Sequence, residues 1–451
     1  MMKGISMREN SDMSDIDYLS VRGGEPVGKS RLIPYKWELI ALLWCTFFLS
    51  QADRQILNNL ANPIMDDLGL TRVQFGLIGT LFMIVYGIMV PLAGYAGDVF
   101  RRKKVVLFSI AVTSTATLLT GLTAGLVPAL LALVIFRSLA DGVGGACYYP
   151  AANSLIGQFH HKTRATAMAI HQTALYCGII ASSFAALIGQ KYGWRKAFYL
   201  FGVAGIVMAV IVLFRVRDTS LSGAADGGEG GSAERPPTVR EVLRHVLGKR
   251  TVWLLSVAFA GHVFVENGYR TWMPSFLNQE HGMELFWASF WAMAAHYGGA
   301  FLGVTLGGRF SDRLAVRRRA ARMEFQSLGL MLAAPFIVGM GLGRGPIACC
   351  VALAAFGFFR GIYDSNLFAA PFEVIEPRYR ASAVGLMLAC AFVMAASAPA
   401  LLGWIADYMS MSTAIASMAI VYFLSGVVVL IARYKTFAGD VIDEPPAGPQ
   451  D

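Results

Sequence analysis

RSLADGVGGACYYP, residues 137–150, decides how this chain is read. It follows the apolar run 126–136, and about twenty residues upstream of it are nearly free of charge, which is membrane-spanning length. Arg137 and Asp141 stand four apart, so on a helix they share one face. RGIYD repeats the spacing in the other half, with Arg360 and Asp364 inside the apolar run 348–372. A charge at bilayer depth costs roughly 2.5–3.5 kcal/mol, so such pairs persist where they meet a partner or a wet cavity.

Composition agrees with a membrane setting. The chain is 56% hydrophobic and 15% charged, where a soluble domain carries about 25% charged residues. Its formal charge of +9 does not imply nucleic acid, because the basic residues sit in loops between apolar runs. Six cysteines fall inside apolar stretches without metal-ligand spacing and read as packing residues; no metal or cofactor is expected. Residues 1–34 are polar, lack an apolar core segment and read as a disordered tail.

Hydropathy predicts an all-α membrane protein of about twelve spans in two pseudo-symmetric six-helix bundles. The expected bundles cover 35–217 and 251–435, with a linker at 218–250 and a tail at 436–451. Within the linker, TVREVLRHVLGKR predicts a basic amphipathic helix for the inner membrane surface. Basic residues collect on alternate loops, as at Arg101–Lys104, Arg313–Arg322 and Arg433–Lys435. By the positive-inside rule those loops and both termini are cytoplasmic, in an inner or plasma membrane.

The halves also repeat in order. GYAGDVFRRKK from Gly94 is echoed by GRFSDRLAVRR from Gly308, and RATAMA from Arg164 by RASAVG from Arg380. Duplicated bundles of this kind bind substrate near the bilayer midplane, between the repeats.

On these residues the chain resembles the major facilitator superfamily. The resemblance implies a cytoplasmic gate carried by Gly94, Asp98 and Arg102 and again by Gly308, Asp312 and Arg313. Val99 and Arg101 depart from the usual signature, which implies a weaker first latch. ADRQIL at 52–57 resembles both anion:cation symporters and spinster-like transporters; WMPSFL and EPRYRASAVGLM resemble the former more. Both groups imply a functional Asp53–Arg54 pair. They also commonly place a glutamate where this chain has Gly145, and Asp141, one turn earlier, is a candidate replacement.

The first, fourth, seventh and tenth spans each carry one cation and one carboxylate: Asp53/Arg54, Arg137/Asp141, Glu266/Arg270 and Arg360/Asp364. Guanidinium forks suit an anionic substrate, and a carboxylate that loses its arginine to substrate takes up a proton, which couples the two. The expected substrate-binding residues are Arg54, Arg137, Arg270, Arg360, Tyr148, Gln172 and Asn366. Those expected to handle protons are Asp53, Asp141, Glu266, Asp364 and His171. Each pair has a plainer reading as a neutral clamp between helices, and Glu266/Arg270 also reads as a gate.

The leading expectation is a monomeric, proton-coupled symporter of a small organic anion such as a sugar acid. Alternatives are a spinster-like carrier of lysolipids and a drug/proton antiporter, the latter disfavoured because 174–190 lacks its glycine-proline signature. No GxxxxGK[ST] loop is present for nucleotide hydrolysis, and no nucleophile–base spacing suggests an enzyme.

Overall fold

The computed structural model describes residues 34–123, 128–160, 163–217, 241, 244, 245, 248–318, 320–376 and 379–442. Among them the regular structure is helical throughout. The first half comprises α1 (Tyr35–Asn59), α2 (Ala61–Leu68), α3 (Arg72–Val99), α4 (Arg102–Gly121), α5 (Ala129–Arg137), α6 (Gly145–Phe159), α7 (Arg164–Ala181), α8 (Ser183–Tyr192) and α9 (Trp194–Arg215). The second comprises α10 (Arg250–Gln279), α11 (Leu285–Ala315), α12 (Ala321–Leu342), α13 (Pro346–Asp364), α14 (Arg380–Ala395), α15 (Ala398–Tyr408), α16 (Met411–Ile431) and α17 (Phe437–Asp440).

Among the described residues, 9 helical stretches are long and apolar enough to cross a membrane. Three more, α1, α10 and α11, have 25, 30 and 31 residues. At about 1.5 Å per residue each is longer than the roughly 30 Å hydrocarbon core. Two of the three, α1 and α10, carry the charges that matter below. The outer surface is apolar: Ile88, Phe214, Phe301 and Ile347 are all exposed, the inverse of a water-soluble protein.

Several spans are not continuous α-helices. The fourth widens into a π-helical turn at Ser138–Gly144, between α5 and α6. Side chains of α4 collect carbonyls along that turn: Thr113 Oγ1 donates to Ala140 O at 3.0 Å and Ser109 Oγ to Gly144 O at 2.7 Å. A Cβ on Gly144 would overlap Thr113, so glycine sets this approach. The fifth span breaks at Ser182 and the eleventh near Ser397, an echo between the halves that hydropathy did not reveal.

The tenth span corrects the sequence expectation. The apolar run extends to residue 372, yet α13 ends at Asp364. Ser365 Oγ and Asn366 Nδ2 both donate to Ile362 O, at 2.8 and 3.3 Å, satisfying the last turn locally. Pro371, with no N–H, then opens a short 3-10 turn, Pro371–Glu373.

Close packing of α11 on α13 positions half of the site. Gly299 and Gly303 on α11 face backbone of Ala354 and Phe358, while Gly357 on α13 faces the His296 carbonyl. A Cβ on Gly303 would overlap the Phe358 carbonyl oxygen. We therefore expect Gly303→Val to push the helices apart and cost about 1–3 kcal/mol. A thermal melt of the detergent-solubilised protein indistinguishable from wild type would contradict this packing.

Candidate functional site

Two matching triads lie at the facing surfaces of the halves. In the first, α1 supplies Asp53, α4 supplies Thr117, and the fourth span supplies Arg137 and Asp141. Arg137 Nη1 is 3.4 Å from Asp53 Oδ2 and Nη2 donates to the Asp53 carbonyl at 3.3 Å. Nη2 also makes a short ion pair with Asp141 Oδ2. Thr117 Oγ1 donates to Asp53 Oδ2 at 2.8 Å. Arg137 is only 1% exposed, so two carboxylates must hold its charge.

The second triad repeats the scheme with the equivalent helices. Arg360 Nη2 is 3.0 Å from Glu266 Oε2 on α10, and Arg360 Nε is 3.3 Å from Asp364 Oδ2. Arg360 Nη1 meets His296 Nε2 at 2.6 Å. An arginine only donates, so His296 Nε2 accepts; its hydrogen is then on Nδ1 and the ring is neutral. His262 Nε2 is 3.4 Å from Asp364 and 3.7 Å from Glu266, and Tyr422 holds its Nδ1 at 2.9 Å.

Sequence spacing suggested that each arginine pairs with the carboxylate on its own helix. That contact exists, and a second carboxylate from a different helix joins it in each half. Two other arginines lie beside the triads. Arg270 Nη1 is 4.0 Å from Glu266 Oε1, and Nη2 donates to Gln55 Oε1 at 3.3 Å. Gln55 Nε2 returns a bond to the Arg270 carbonyl at 2.9 Å, linking the halves. Arg54 stacks over Phe82 and Tyr86, 4.9 and 4.6 Å from the ring centres, and makes no ion pair among the described residues.

Arg54, Asn58, Asp141, Asn267 and Arg270 converge, with Phe82, on a cavity between the halves. It is narrow in this conformation, about 30 Å³, the room of one small polar group. Asn267 Nδ2 and Arg270 Nε are buried there without hydrogen-bond partners among the described residues. The cavity is thus lined by donors in want of acceptors.

One end of this space is sealed. Asn62 Nδ2 donates to Asn278 Oδ1 at 2.8 Å, and Arg72 reaches Asp407 and Gln279, each at 3.3 Å. All three bonds cross between the halves.

Other predicted residues lie elsewhere. Tyr148 Oη donates to Leu43 O at 2.7 Å and is 3.2 Å from His171 Nε2, whose ring stacks on Phe47 inside the first half. Gln172 accepts from Tyr149 at 3.2 Å. Asn366 is buried just past the end of α13, where its main-chain carbonyl accepts from Gln326 at 2.8 Å and its Nδ2 donates to the Ile362 carbonyl at 3.3 Å. At the gate motif, Asp312 pairs with Arg322 at 3.3 Å and Arg322 with Glu373 at 3.7 Å. Gly308 lies near Ser365, Arg313 is exposed, and Arg102 opens α4. The side chains at Gly94 and Asp98 lie outside the described residues, as do both predicted tails apart from residues 34 and 436–442 and most of the linker.

The sequence reading did not single out Gln55 or Thr117. Gln55 is an uncharged polar residue directly after an obvious charged pair. Thr117 belongs to Ser109, Thr113 and Thr117, a hydroxyl stripe at helical spacing in an apolar span, which was a readable signal.

A membrane-spanning helical protein with a charged cavity between two repeated halves is a transporter in class. The family model of the Major Facilitator Superfamily matches residues 43–342, and the chain belongs to that superfamily. It is 27% identical over 415 residues to the cis,cis-muconate transport protein of Acinetobacter baylyi, covering 89% of this chain and 95% of that one. It is 29% identical over 358 residues to the probable galactarate/D-glucarate transporter GudP of Bacillus subtilis, 74% of each. In fold it is similar to the inward-facing, unoccupied crystal structure of a bacterial homolog to the human lysosomal transporter Spinster. The TM-score there is 0.79 at 20% identity, over 93% of this chain and 100% of the other.

Proposed function

We propose that this protein carries a small organic anion, such as a sugar acid or another carboxylate, together with a proton, by alternating access. The observation that carries the reading is the cavity between the halves, where, among the described residues, Arg54 has no ion pair and Asn267 Nδ2 and Arg270 Nε have no acceptor. A carboxylate supplies the acceptors those donors lack, and guanidinium keeps its charge at any working pH. The names of the muconate and galactarate/glucarate relatives support the same substrate class.

Coupling follows from charge balance. Asp53, Asp141 and Arg137 together carry one surplus negative charge, which a proton neutralises. Asp141 lines the central cavity beside Arg54, so it is the carboxylate through which proton and substrate sense one another. With the positive loops inside, the sealed end carrying Arg72 and Asp407 faces outward, and the cavity opens next to the cytoplasm. Glu266 and Asp364 hold Arg360 in the corresponding place in the second half.

A carrier of lysolipids is the second reading. An apolar groove of about 420 Å³, lined by Met89, Leu92, Phe100 and Phe108 with Lys104 at its edge, suits an acyl chain and its headgroup. Uptake into proteoliposomes with an acid exterior separates the two. We expect sugar acids and dicarboxylates to accumulate and lysolipids not to move; lysolipid movement without carboxylate uptake would overturn the anion reading.

A further inference from the structure

A second cavity lies within the first half, on the far side of Asp53 from the substrate path. It is bounded by α1, α4 and α9, holds about 30 Å³, and is lined by Asp53 with Thr46, Ser50, Ser109, Thr113, Ser114 and Thr117. Asp53 is 5% exposed, and its Oδ1 has no hydrogen-bond partner among the described residues. Such an orphaned carboxylate oxygen is expensive unless something meets it.

Four of these six serine and threonine hydroxyls are already oriented. Thr46 Oγ1 donates to Leu42 O at 2.8 Å, Ser109 Oγ to Gly144 O at 2.7 Å, Thr113 Oγ1 to Ala140 O at 3.0 Å and Thr117 Oγ1 to Asp53 Oδ2 at 2.8 Å. Each hydrogen is spoken for, so what these oxygens have left to present is lone pairs. Gly205 on α9 makes room for Ser114 Oγ, which a Cβ there would overlap. Leu49, Ile110, Phe201 and Met208 also line the space, and the oxygen lone pairs gathered with the unpaired carboxylate oxygen on the side of α1 and α4 suit a hard cation. With Arg137 already 3.4 Å from the other oxygen of Asp53, the surplus is one negative charge, so the cation is monovalent.

We propose that this cavity between α1, α4 and α9, built on Asp53 Oδ1 and the hydroxyl oxygens of Thr46, Ser109, Thr113, Ser114 and Thr117, is a binding site for a monovalent cation the size of Na+. It is separate from the anion cavity and does not depend on the substrate class. A bound ion would balance the same single negative charge that the coupling proton balances, so Na+ and the proton compete for the first triad, the ion from behind Asp53 and the proton from the side of Asp141.

The test is the melting temperature of the purified full-length protein without substrate, with NaCl replacing choline chloride at constant ionic strength and KCl as a size control. A ligand that binds only the folded state stabilises it in proportion to ln(1 + [L]/Kd). We expect a Na+-specific rise that grows with concentration. Half-effective Na+ should increase at least tenfold in Asp53→Asn and several-fold in Ser114→Ala. Superimposable wild-type curves in Na+ and choline would mean that the cavity holds water only, and would overturn the proposal. So would an unchanged Na+ response in Asp53→Asn. Should that variant fail to fold, Ser114→Ala decides, because an unchanged response there removes the hydroxyl cage. Carboxylate uptake is a different readout, so either reading can fail alone.

Discussion

Arg54→Lys is expected to express and melt like the wild type and to lose most carboxylate uptake. Arg54 contributes little to holding the fold: it is half-buried, stacked on Phe82 and Tyr86, and makes no ion pair among the described residues. Lysine keeps the positive charge and can still lie over an aromatic face. What disappears is the planar fork that meets both oxygens of a carboxylate. A hydrogen bond to a charged group contributes about 1.5–3 kcal/mol, and about 1.4 kcal/mol is tenfold in affinity. Half-saturation for transport should therefore rise by roughly ten- to a hundredfold. Substrate-dependent thermal stabilisation should weaken in parallel, which a purely structural role for Arg54 would not produce. Unaltered half-saturation in Arg54→Lys would remove this residue from the anion site.

Arg54 was legible because charge inside an apolar run is conspicuous at the level of single residues. The same holds for the spans and for the repeat of Arg137/Asp141 as Arg360/Asp364, each of which depends on nearby residues or on an ordered echo. The superfamily and the helical membrane fold followed from those features. Partners across helices were another matter. Asp53 meets Arg137 across 84 positions, and Glu266 meets Arg360 across 94. Helical periodicity gives the face of a residue on its own helix and nothing about which neighbour that face touches. Hydropathy was equally blind to the π turn at Ser138–Gly144 and to the end of α13 at Asp364, because both are set by hydrogen bonds from Ser109, Thr113, Ser365 and Asn366 rather than by apolar content. Tyr148, Gln172 and Asn366 show the other side of the same limit. Polar groups in a span were read as candidates for the ligand, and the structure engages their side chains with Leu43, Tyr149 and the Ile362 carbonyl.

Asp141→Asn gives the second large effect, and it falls on coupling rather than on binding. Asp141 is the carboxylate of the first triad that lines the cavity between the halves, alongside Arg137, whereas Asp53 is held from behind by Thr117. In the proposed symport, a substrate carboxylate that enters and draws on Arg54 and Arg137 leaves two carboxylates sharing one weakened cation, and the triad takes up a proton to restore balance. Asparagine mimics the protonated side chain permanently. Arg137 then keeps Asp53 alone, the surplus charge is gone, and substrate binds without recruiting a proton. A gradient of one pH unit is worth about 1.4 kcal/mol per proton, enough for about tenfold accumulation of a monocarboxylate by one-to-one symport. We expect the wild type to approach that accumulation in proteoliposomes with an acid exterior. The variant should equilibrate substrate without accumulating it, while exchange of labelled for unlabelled substrate continues. Exchange is the informative control, since its loss would indicate damage to binding rather than to coupling. If Asp141→Asn still concentrated substrate in step with the pH gradient, the proton would have to travel by another carboxylate, and Glu266 beside Arg360 and His262 would be next to test.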